Sequence, residues 1–349
     1  MKAAVYMGGA KNIQIKEVPD PVLTEGEVLV KVGAANICGV DSRTYNFGDK
    51  KIEPPRILGH EFAGTIVDGA RPELGLNIGD RVTSYVVIPC GTCIYCKRGR
   101  ANMCETRTTF GYQHDGSFAE HIVIPKKAVD NRHLFHIPKH ISFEEAALAE
   151  PLATVLNAHG KLNIGIKDTV VVLGAGPIGI LHSLVSKIEG ANHVCLMDIS
   201  EGRLKLAEKF GLDSYIKVEK NGSHIEAAKA LNDGLGADVI IVANTAAQSQ
   251  VEALEMAGKC ARVEFFGGLP KSNPFATLNT NLIHYRELVV SGSFSSKIED
   301  FRNSLKLIST GLLPAKDIIT HRFKLDDMLK AFEVIPSGKA IKVSIQPGV

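Results

Sequence analysis

The stretch 170–200, VVVLGAGPIGILHSLVSKIEGANHVCLMDIS, decides the fold of this chain. Its first four residues are apolar and mostly β-branched, which predicts a buried strand. Gly174, Gly176 and Gly179 follow at G-x-G-x-x-G spacing and open a segment with helical apolar spacing. The first glycine permits a tight turn, the second lets a pyrophosphate approach the backbone, and the third lets the helix pack on the strand. The stretch therefore predicts a dinucleotide-binding βαβ unit.

An acidic residue supports this interpretation and indicates which dinucleotide binds. A second apolar strand, 194–197, ends in Asp198, at the place where a carboxylate accepts hydrogen bonds from the adenosine ribose. Glycine clusters alone usually mark turns, so the order of strand, glycines, helix, strand and acid carries the prediction. Asp198 would repel a 2′-phosphate, and the nearest following arginine is Arg203. We therefore expect NAD rather than NADP.

Composition restricts the remaining possibilities. A chain of 349 residues with 45% hydrophobic and 22% charged residues is typical of a globular protein of two domains. A formal charge of +2, without a basic block, argues against a nucleic-acid partner. Apolar runs are only strand-length, and the N-terminus lacks a signal-peptide pattern, so we expect a cytoplasmic protein without a membrane span. Seven cysteines, four of them crowded together, favour metal binding over disulfides.

The order of predicted elements indicates two domains. Short strands broken by Gly and Pro predict a β-rich first domain, and a helix with a capping box at Ser142 and Glu145 follows it. From Val170 to about Ser291, strands and helices alternate, which predicts a doubly wound parallel sheet. The C-terminal segment ends in a strand that would return to the first domain. We thus expect an α/β protein with a discontinuous catalytic domain, 1–152 and 292–349, and a nucleotide-binding domain, 153–291.

The clearest metal motif is C-x2-C-x2-C-x7-C in a glycine-containing loop, formed by Cys90, Cys93, Cys96 and Cys104. Four thiolates held by tight turns make a closed tetrahedral zinc site, which is structural rather than catalytic. Unrelated buried cysteines or an iron–sulfur cluster are the alternatives, although the spacing differs from usual cluster motifs.

A second, weaker motif combines Cys38 with the adjacent pair His60 and Glu61. An isolated cysteine is most often a small buried hydrophobe, and the His-Glu pair equally suits a loop ion pair. A dinucleotide enzyme that transfers hydride needs an electrophile at the substrate oxygen, however, and an open-sided zinc supplies one. For Cys195, Cys260 and the scattered histidines we expect structural burial; those histidines include His133, His136 and His182.

These motifs occur in one order along essentially the whole chain: CGVD, GHEFAG, the four-cysteine cluster, AEPLA, VLGAGPIG, MDIS with Arg203, and GKAIKVSI. Together they resemble the zinc-dependent medium-chain dehydrogenase/reductase family of the alcohol dehydrogenase superfamily, and its sorbitol, threonine and polyol dehydrogenase branch in particular. The resemblance implies a GroES-like β-barrel catalytic domain, a Rossmann domain and a homodimer or homotetramer.

The resemblance also implies roles for individual residues. Cys38, His60 and Glu61 would surround a catalytic zinc, with Glu150 as a direct ligand or as the partner of its water. Thr154 would approach the nicotinamide. The cofactor-binding turn and its partners would comprise Gly174, Gly176, Pro177, Ile178, Gly179, Asp198 and Arg203. With the cysteine cluster, two zinc ions per chain are expected.

The sequence departs from the family pattern next to Cys38. Most relatives carry serine or threonine two residues further on, whose hydroxyl passes the substrate proton outward, but this chain has Val40. Valine has no exchangeable proton, so a water at the metal or at Glu150, or a substrate hydroxyl, must take over. Five residues beyond Cys38, where many relatives carry histidine, stands Arg43.

Substrate contacts are less defined. Arg43 suits a substrate phosphate or carboxylate, although a surface ion pair is the more common fate of an exposed arginine. The loop FGYQHDGS, 110–117, offers His114 or Asp115, or is an ordinary surface loop. The predicted reaction is reversible NAD-linked oxidation of a secondary alcohol, polyol or sugar phosphate. Alternatives are threonine 3-dehydrogenase-like oxidation, a non-catalytic nucleotide-binding relic, and a zinc-ribbon nucleic-acid binder.

Overall fold

The structure is a computed structural model that describes residues 1–348. The chain forms two compact units, Met1–Ala153 together with the chain from Lys297 onward, and Thr154–Ser296. No helix within residues 1–348 combines the length and the apolar character that crossing a membrane requires. The domain limits given by the sequence, 1–152 with 292–349 and 153–291, stay a prediction.

Eighteen strands are formed within residues 1–348: β1 Lys2–Tyr6, β2 Ile13–Glu17, β3 Val28–Asn36, β4 Arg56–Ile57, β5 Glu61–Asp68, β6 Arg81–Ser84, β7 Val87–Ile88, β8 Thr108–Thr109, β9 His121–Ile124, β10 Leu134–His136, β11 Thr169–Leu173, β12 His193–Asp198, β13 Ser214–Lys217, β14 Ala237–Val242, β15 Ala257–Phe265, β16 Val289–Gly292, β17 Ile319–Lys324 and β18 Lys342–Gln346.

The α-helices in the same part of the chain are α1 Gly39–Phe47, α2 Ile94–Lys97, α3 Lys126–Asp130, α4 Phe143–Ala147, α5 Ala149–Leu162, α6 Pro177–Ile188, α7 Glu201–Ala207, α8 Ser223–Ala230, α9 Ala247–Met256, α10 Thr280–Tyr285, α11 Ile298–Ser309, α12 Ala315–Ile318 and α13 Met328–Val334. Short 3₁₀ turns occupy Pro72–Leu74, Ala101–Met103, Glu208–Phe210, Leu325–Asp327 and Ile335–Ser337.

The first unit is rich in β-strands, as the short strands and frequent turns predict, and most of its strand pairs are antiparallel. Its main sheet has the order β10-β6-β5-β3-β18-β17, and β9 also pairs with β3. The C-terminal strand β18 pairs antiparallel with β3 and parallel with β17. The last strand therefore returns to the first part of the chain, as expected from the sequence.

The helical segment predicted from Ser142 is present, but it consists of two helices, α4 and α5, separated at Leu148. The capping box is confirmed: the backbone N–H of Ser142 donates to Glu145 Oε2 over 2.9 Å, and the N–H of Glu145 donates to Ser142 Oγ over 3.2 Å. These reciprocal bonds satisfy two N–H groups that a helix start leaves without intrahelical partners.

The second unit contains six parallel strands in the order β13-β12-β11-β14-β15-β16. Its central strand β11 is buried along its whole length, as expected when helices cover both faces of a parallel sheet. The order reverses direction beside β11, which is where doubly wound sheets bind dinucleotides. The predicted doubly wound α/β fold is confirmed.

The glycines after β11 make the predicted turn. Gly174 has φ +116°, a conformation that L side chains rarely adopt. A Cβ atom added to Gly179 would lie only 1.7 Å from the carbonyl oxygen of Gly174. A Cβ on Gly176, whose φ is −79°, would have no heavy atom within 4 Å. The third glycine thus permits close helix–strand packing, whereas the second leaves open space above the turn.

Two expectations about burial are wrong. Cys195 is fully buried, but Cys260 is exposed because it has φ +61° within an irregular part of β15. His133 and His182 are buried as expected, whereas His136 has a side chain that is 56% exposed. His136 ends a strand at the edge of its sheet, where one face meets solvent.

We predict that Gly179→Ala lowers the free energy of unfolding by about 1–3 kcal/mol, because the added methyl group forces the turn and α6 apart. Gly176→Ala is the matched control and should stay within about 1 kcal/mol of the wild type, since its backbone conformation suits alanine. Urea unfolding followed by circular dichroism measures both variants. Equal stability of the two variants would contradict the packing role of Gly179.

Candidate functional site

Three predicted zinc ligands come together in the first unit. Cys38 caps the N-terminus of α1, His60 precedes β5, and Glu61 is the first residue of β5. Their ligand atoms all lie within 4.8 Å of one another. His60 and Glu61 are buried and Cys38 is partly exposed, so the group is accessible only from the cysteine side.

A neighbouring carboxylate orients this group. Asp41 Oδ2 accepts the backbone N–H of Cys38 over 2.9 Å, and Asp41 Oδ1 lies 3.7 Å from His60 Nδ1. Burial opposes protonation of the imidazole, but Asp41, Cys38 and Glu150 outweigh it and hold the pKa of His60 well above its usual value. At 3.7 Å the contact between Asp41 and His60 is electrostatic rather than a hydrogen bond, and a metal bound at this site would displace the proton from the imidazole.

Glu61 is tied to the C-terminal strand. Lys342 Nζ lies 2.7 Å from Oε1 and 2.6 Å from Oε2 of Glu61, and both side chains are almost fully buried. Burial lowers the pKa of the Lys342 ammonium, but Glu61 and Cys38 outweigh this effect and raise it overall. The carboxylate of Glu61 therefore lies beside both the buried ammonium group of Lys342 and the ligand atoms of Cys38 and His60.

Glu150 lies in the first turn of α5 and is not among the three residues whose ligand atoms converge. Its charge nevertheless acts on His60, and burial raises the pKa of its carboxyl to about 7. This placement favours a role beside the predicted metal. Thr154 follows one helical turn later on α5 and is partly exposed.

The second predicted metal site is also assembled. The sulfur atoms of Cys90, Cys93, Cys96 and Cys104 lie within 4.8 Å of one another, and all four cysteines are free. The Cys93–Cys96 and Cys90–Cys96 sulfur separations are 3.4 and 3.9 Å. A tetrahedral zinc with Zn–S bonds of about 2.3 Å requires separations of about 3.8 Å.

Backbone groups around this cluster prepare it for a cation. The N–H of Cys93 donates to Cys90 Sγ over 3.3 Å, and the N–H of Cys90 donates to Cys104 Sγ over 3.3 Å. Bonds from Cys93 and Thr92 lower the pKa of Cys90 to about 5, whereas burial raises the pKa of Cys96 to about 12. The lowered pKa favours the thiolate form of Cys90, which is the form that binds a metal. Four sulfur donors fit a closed zinc site.

The cofactor-binding residues of the second unit are also brought together. Asp198, at the end of β12, accepts the backbone N–H of Ala175 and that of Ser200, each over 2.7 Å. Arg203 Nη1 lies 3.9 Å from Asp198 Oδ2. The acid therefore fixes the glycine turn, and Gly176 caps α6 with Pro177 in its first turn. The free N–H groups of this helix start suit a pyrophosphate.

The predicted substrate contacts differ in what they touch. His114 Nε2 lies 2.9 Å from Thr108 Oγ1, and burial lowers the pKa of the imidazole. Asp115 Oδ1 accepts the backbone N–H of Ile57 over 3.1 Å, so it also supports the fold. Arg43 is exposed, and no carboxylate within residues 1–348 lies within 4.0 Å of it. The surface ion pair considered for Arg43 is not formed there.

Sequence reasoning missed two residues of this site. Lys342 lies in the C-terminal motif GKAIKVSI, but its partner Glu61 is 281 positions away, so spacing gives no signal. Asp41 stands in CGVD, and its position three residues after the helix-capping Cys38 is the signal that it can bond back to that cap.

Comparison with known proteins identifies similar chains. The profile of the alcohol dehydrogenase GroES-like domain matches residues 24–138, and that of the zinc-binding dehydrogenase domain matches residues 177–310. The first match confirms the predicted GroES-like domain. A sorbitol dehydrogenase from Halalkalibacterium halodurans is 35% identical, with 99% of both chains covered.

Two further proteins resemble the chain over almost its whole length. An L-threonine 3-dehydrogenase from a Shewanella species is 32% identical, with 98% of both chains covered. A candidate zinc-binding dehydrogenase from Sinorhizobium meliloti, solved bound to NADP, is 30% identical, with a TM-score of 0.90 and 99% of both chains covered.

We predict that Lys342→Met lowers the free energy of unfolding by about 3–5 kcal/mol in metal-free buffer, because it leaves the buried carboxylate of Glu61 unpaired. Adding Glu61→Gln should restore most of this loss. Lys330→Met is the control, since the Lys330–Asp327 pair is exposed and contributes at most about 1 kcal/mol. Urea unfolding of the four proteins tests this, and equal losses for the two lysine variants would refute it.

Proposed function

The chain belongs to the zinc-binding alcohol dehydrogenase family, and we propose that it interconverts a secondary alcohol and its ketone, using zinc and NAD. Membership in this family agrees with the prediction from the motifs. The convergence of Cys38, His60 and Glu61 carries the proposal, because thiolate, imidazole and carboxylate with one open side fit a catalytic zinc. We expect the substrate to be a polyol, a sugar alcohol or a related phosphate.

The chemistry divides between the bound groups and the protein. Zinc would supply a Lewis acid that lowers the pKa of the alcohol, and the nicotinamide C4 would accept the hydride. Cys38, His60 and Glu61 would hold the metal, and Asp41 and Lys342 would orient two of these ligands through the contacts described above. The partly exposed side of Cys38 leaves room for the substrate oxygen.

Proton removal requires a group other than residue 40. The side chain of Val40 cannot donate or accept a proton, so the hydroxyl relay of most relatives cannot operate at this position. We propose that Glu150 takes the proton, directly or through a water molecule. Its placement near His60 and the pKa of about 7 that burial gives its carboxyl support this role, because a base with a pKa near the working pH is efficient.

The cysteine tetrad would hold a second zinc ion, giving two per chain. Its four sulfur atoms leave no position for a substrate, so this ion would stabilise the loop from Cys90 to Cys104 and take no part in the reaction. The arrangement of backbone N–H donors around Cys90 and Cys104 supports this assignment.

We propose NAD as the preferred dinucleotide. Asp198 is 6% exposed, and its carboxylate lies beside the glycine turn, where it would accept ribose hydroxyls and repel a 2′-phosphate. Arg203, 3.9 Å away, neutralises part of this charge. Since a relative binds NADP, both dinucleotides belong in the assay.

We also propose a cytoplasmic homo-oligomer. The zinc tetrad requires reduced thiols, and all seven cysteines are free, which suits a reducing compartment. Strand β16 ends the parallel sheet, and Val289 and Phe294 near this edge are 59% and 54% exposed. Exposed apolar residues beside an unpaired strand edge favour association with a second copy.

Oxidation of an amino alcohol is a second candidate, because an L-threonine 3-dehydrogenase is 32% identical over almost the whole chain. Such a substrate would use the same zinc and dinucleotide and would differ only in the groups beside the carbinol carbon. The substrate panel below therefore includes threonine.

We predict that the purified protein contains two zinc ions per chain and reduces NAD with at least one alcohol. The substrate panel consists of polyols, inositols, sugar-alcohol phosphates, threonine and simple secondary alcohols. Turnover is measured as NADH absorbance, with and without a chelator. Cys38→Ser should remove one zinc and all turnover, whereas Cys96→Ser should remove the other zinc and lower stability first. A zinc-loaded protein without turnover on any alcohol, with either dinucleotide, would refute the function and favour a non-catalytic relic.

We predict that Glu150→Gln lowers kcat by about 10²-fold or more and changes the pH dependence of kcat, because the amide cannot accept a proton. The zinc content of the variant should equal that of the wild type if Glu150 acts beside the metal rather than on it. Steady-state kinetics from pH 6 to pH 10 measure the effect. An unchanged rate and pH profile would exclude Glu150 as the proton acceptor.

A further inference from the structure

The exposed face of α1 begins beside the predicted catalytic metal. Val40, Arg43 and Phe47 follow one another at i, i+3 and i+7, so they share one face of the helix. Phe47 is 81% exposed, and Arg43 is exposed, whereas Asp41 on the opposite face is buried. Arg43 follows Cys38 by five residues, or about 7.5 Å along a helix axis, so its side chain can reach a substrate held at Cys38.

Arg43 carries a charge that the described chain does not neutralise. No carboxylate within residues 1–348 lies within 4.0 Å of its guanidinium, and no other contact occupies it there. By contrast, Arg56, Arg71, Arg203, Arg262 and Arg322 all form ion pairs. A guanidinium offers a planar set of N–H donors that matches a carboxylate or a phosphate. Arg43 therefore has its full bonding capacity available to a ligand.

A second group of the first unit has an unused hydrogen-bond donor. Tyr112, in the loop between β8 and β9, is partly buried, and its hydroxyl has no hydrogen-bond partner within the described chain. Burial and the charges of Asp41, Asp49 and Cys38 raise the pKa of the phenol, while Arg43 opposes the shift. The hydroxyl can therefore donate a hydrogen bond to a ligand, and the charges of Arg43 and Cys38 both act on the pKa of its phenol.

The acidic groups nearby are already engaged. Asp41 is buried and accepts the backbone N–H of Cys38, so it faces the metal ligands rather than the exposed face of α1. Asp49 Oδ1 accepts the backbone N–H of Lys51 over 3.0 Å, and Lys50 and Lys51 are exposed beside it. No ion pair within residues 1–348 joins Asp49 to Arg43, so Asp49 does not occupy the guanidinium.

The geometry points to an anion-binding subsite at Arg43, with the Tyr112 hydroxyl as a second donor, which selects alcohols that carry a carboxylate or phosphate several bonds from the carbinol carbon. This inference rests on the proposed function and narrows its substrate class. The guanidinium would hold two oxygens of the anion, and the phenol would donate to one of them. Because residue 40 is valine, the substrate meets an apolar surface between the carbinol site and this subsite.

Paired substrates test the subsite. A polyol is compared with its terminal phosphate monoester, and a hydroxy acid with its primary amide, using zinc-loaded full-length protein. Arg43→Gln should raise KM for the anionic member of a pair about tenfold, with KM for the neutral member and for the dinucleotide unchanged. Arg43→Lys should lie in between, since it keeps the charge but loses the planar donors. Tyr112→Phe should raise the same KM about threefold.

A binding probe and a control complete the experiment. Inorganic phosphate should inhibit oxidation of the neutral alcohol competitively in the wild type and about tenfold more weakly in Arg43→Gln. Lys306→Gln removes one positive charge from the exposed side of α11 and should change none of these constants. If Arg43→Gln raises KM more for the phosphate monoester than for the hydroxy acid, the subsite prefers phosphate. The opposite order indicates that it prefers a carboxylate.

The outcomes separate the subsite from the function on which it rests. Turnover with an equal response of neutral and anionic substrates to Arg43→Gln refutes the subsite alone. A rise in KM for the dinucleotide, shared by all substrates, also refutes it and assigns Arg43 to the cofactor. No turnover with any alcohol refutes the proposed function, and the subsite with it.

Discussion

The buried pair between Lys342 and Glu61 is the constraint on which the first unit depends. It joins β18 to β5, at opposite ends of the chain, across a gap of 281 positions. Removing two charges from water is unfavourable, and such a pair often adds little net stability. The pair instead fixes the position of β18, because separating the two side chains would leave a buried charge without a partner. The chain therefore favours the arrangement in which β18 lies beside β3, the neighbour of β5. Glu61 is held in the same arrangement as a candidate zinc ligand.

The second unit uses a carboxylate in a comparable way but on a local scale. Asp198 accepts two backbone N–H groups, one from the glycine turn and one from the start of the next helix. The turn is therefore fixed by the residue that would bind the ribose. Both units place an acidic side chain where it stabilises the fold and where the proposed ligand would bind. In both, a substitution at the acid would alter stability and binding together.

Local patterns predicted much of this molecule, and long-range contacts account for what they missed. The cysteine tetrad lies within fifteen residues, and the glycine turn is one βαβ unit, so spacing alone specifies their geometry. The Lys342 partner could not be derived, because pairing of β18 with β3 depends on the whole sheet. Burial of Cys260 was predicted from its apolar neighbours, but an irregularity in β15 turns it outward. Whether Arg43 has an ion-pair partner likewise depends on which loops fold around α1, and the sequence does not show this.

Helix α1 links the chemistry of the site to its selectivity. Its N-terminus positions Cys38 through the bond from that residue's backbone to Asp41, while its exposed face carries Val40 and Arg43. The buried face is constrained by packing and by this bond, whereas Val40 is partly exposed and Arg43 is exposed. Substitutions on that face can change the accepted alcohol without disturbing the metal ligands. The loss of a hydroxyl at Val40 and the gain of a guanidinium at Arg43 are changes of this kind. On the proposed mechanism they would move proton transfer away from the helix, towards Glu150, and would give the helix a charge that binds the substrate.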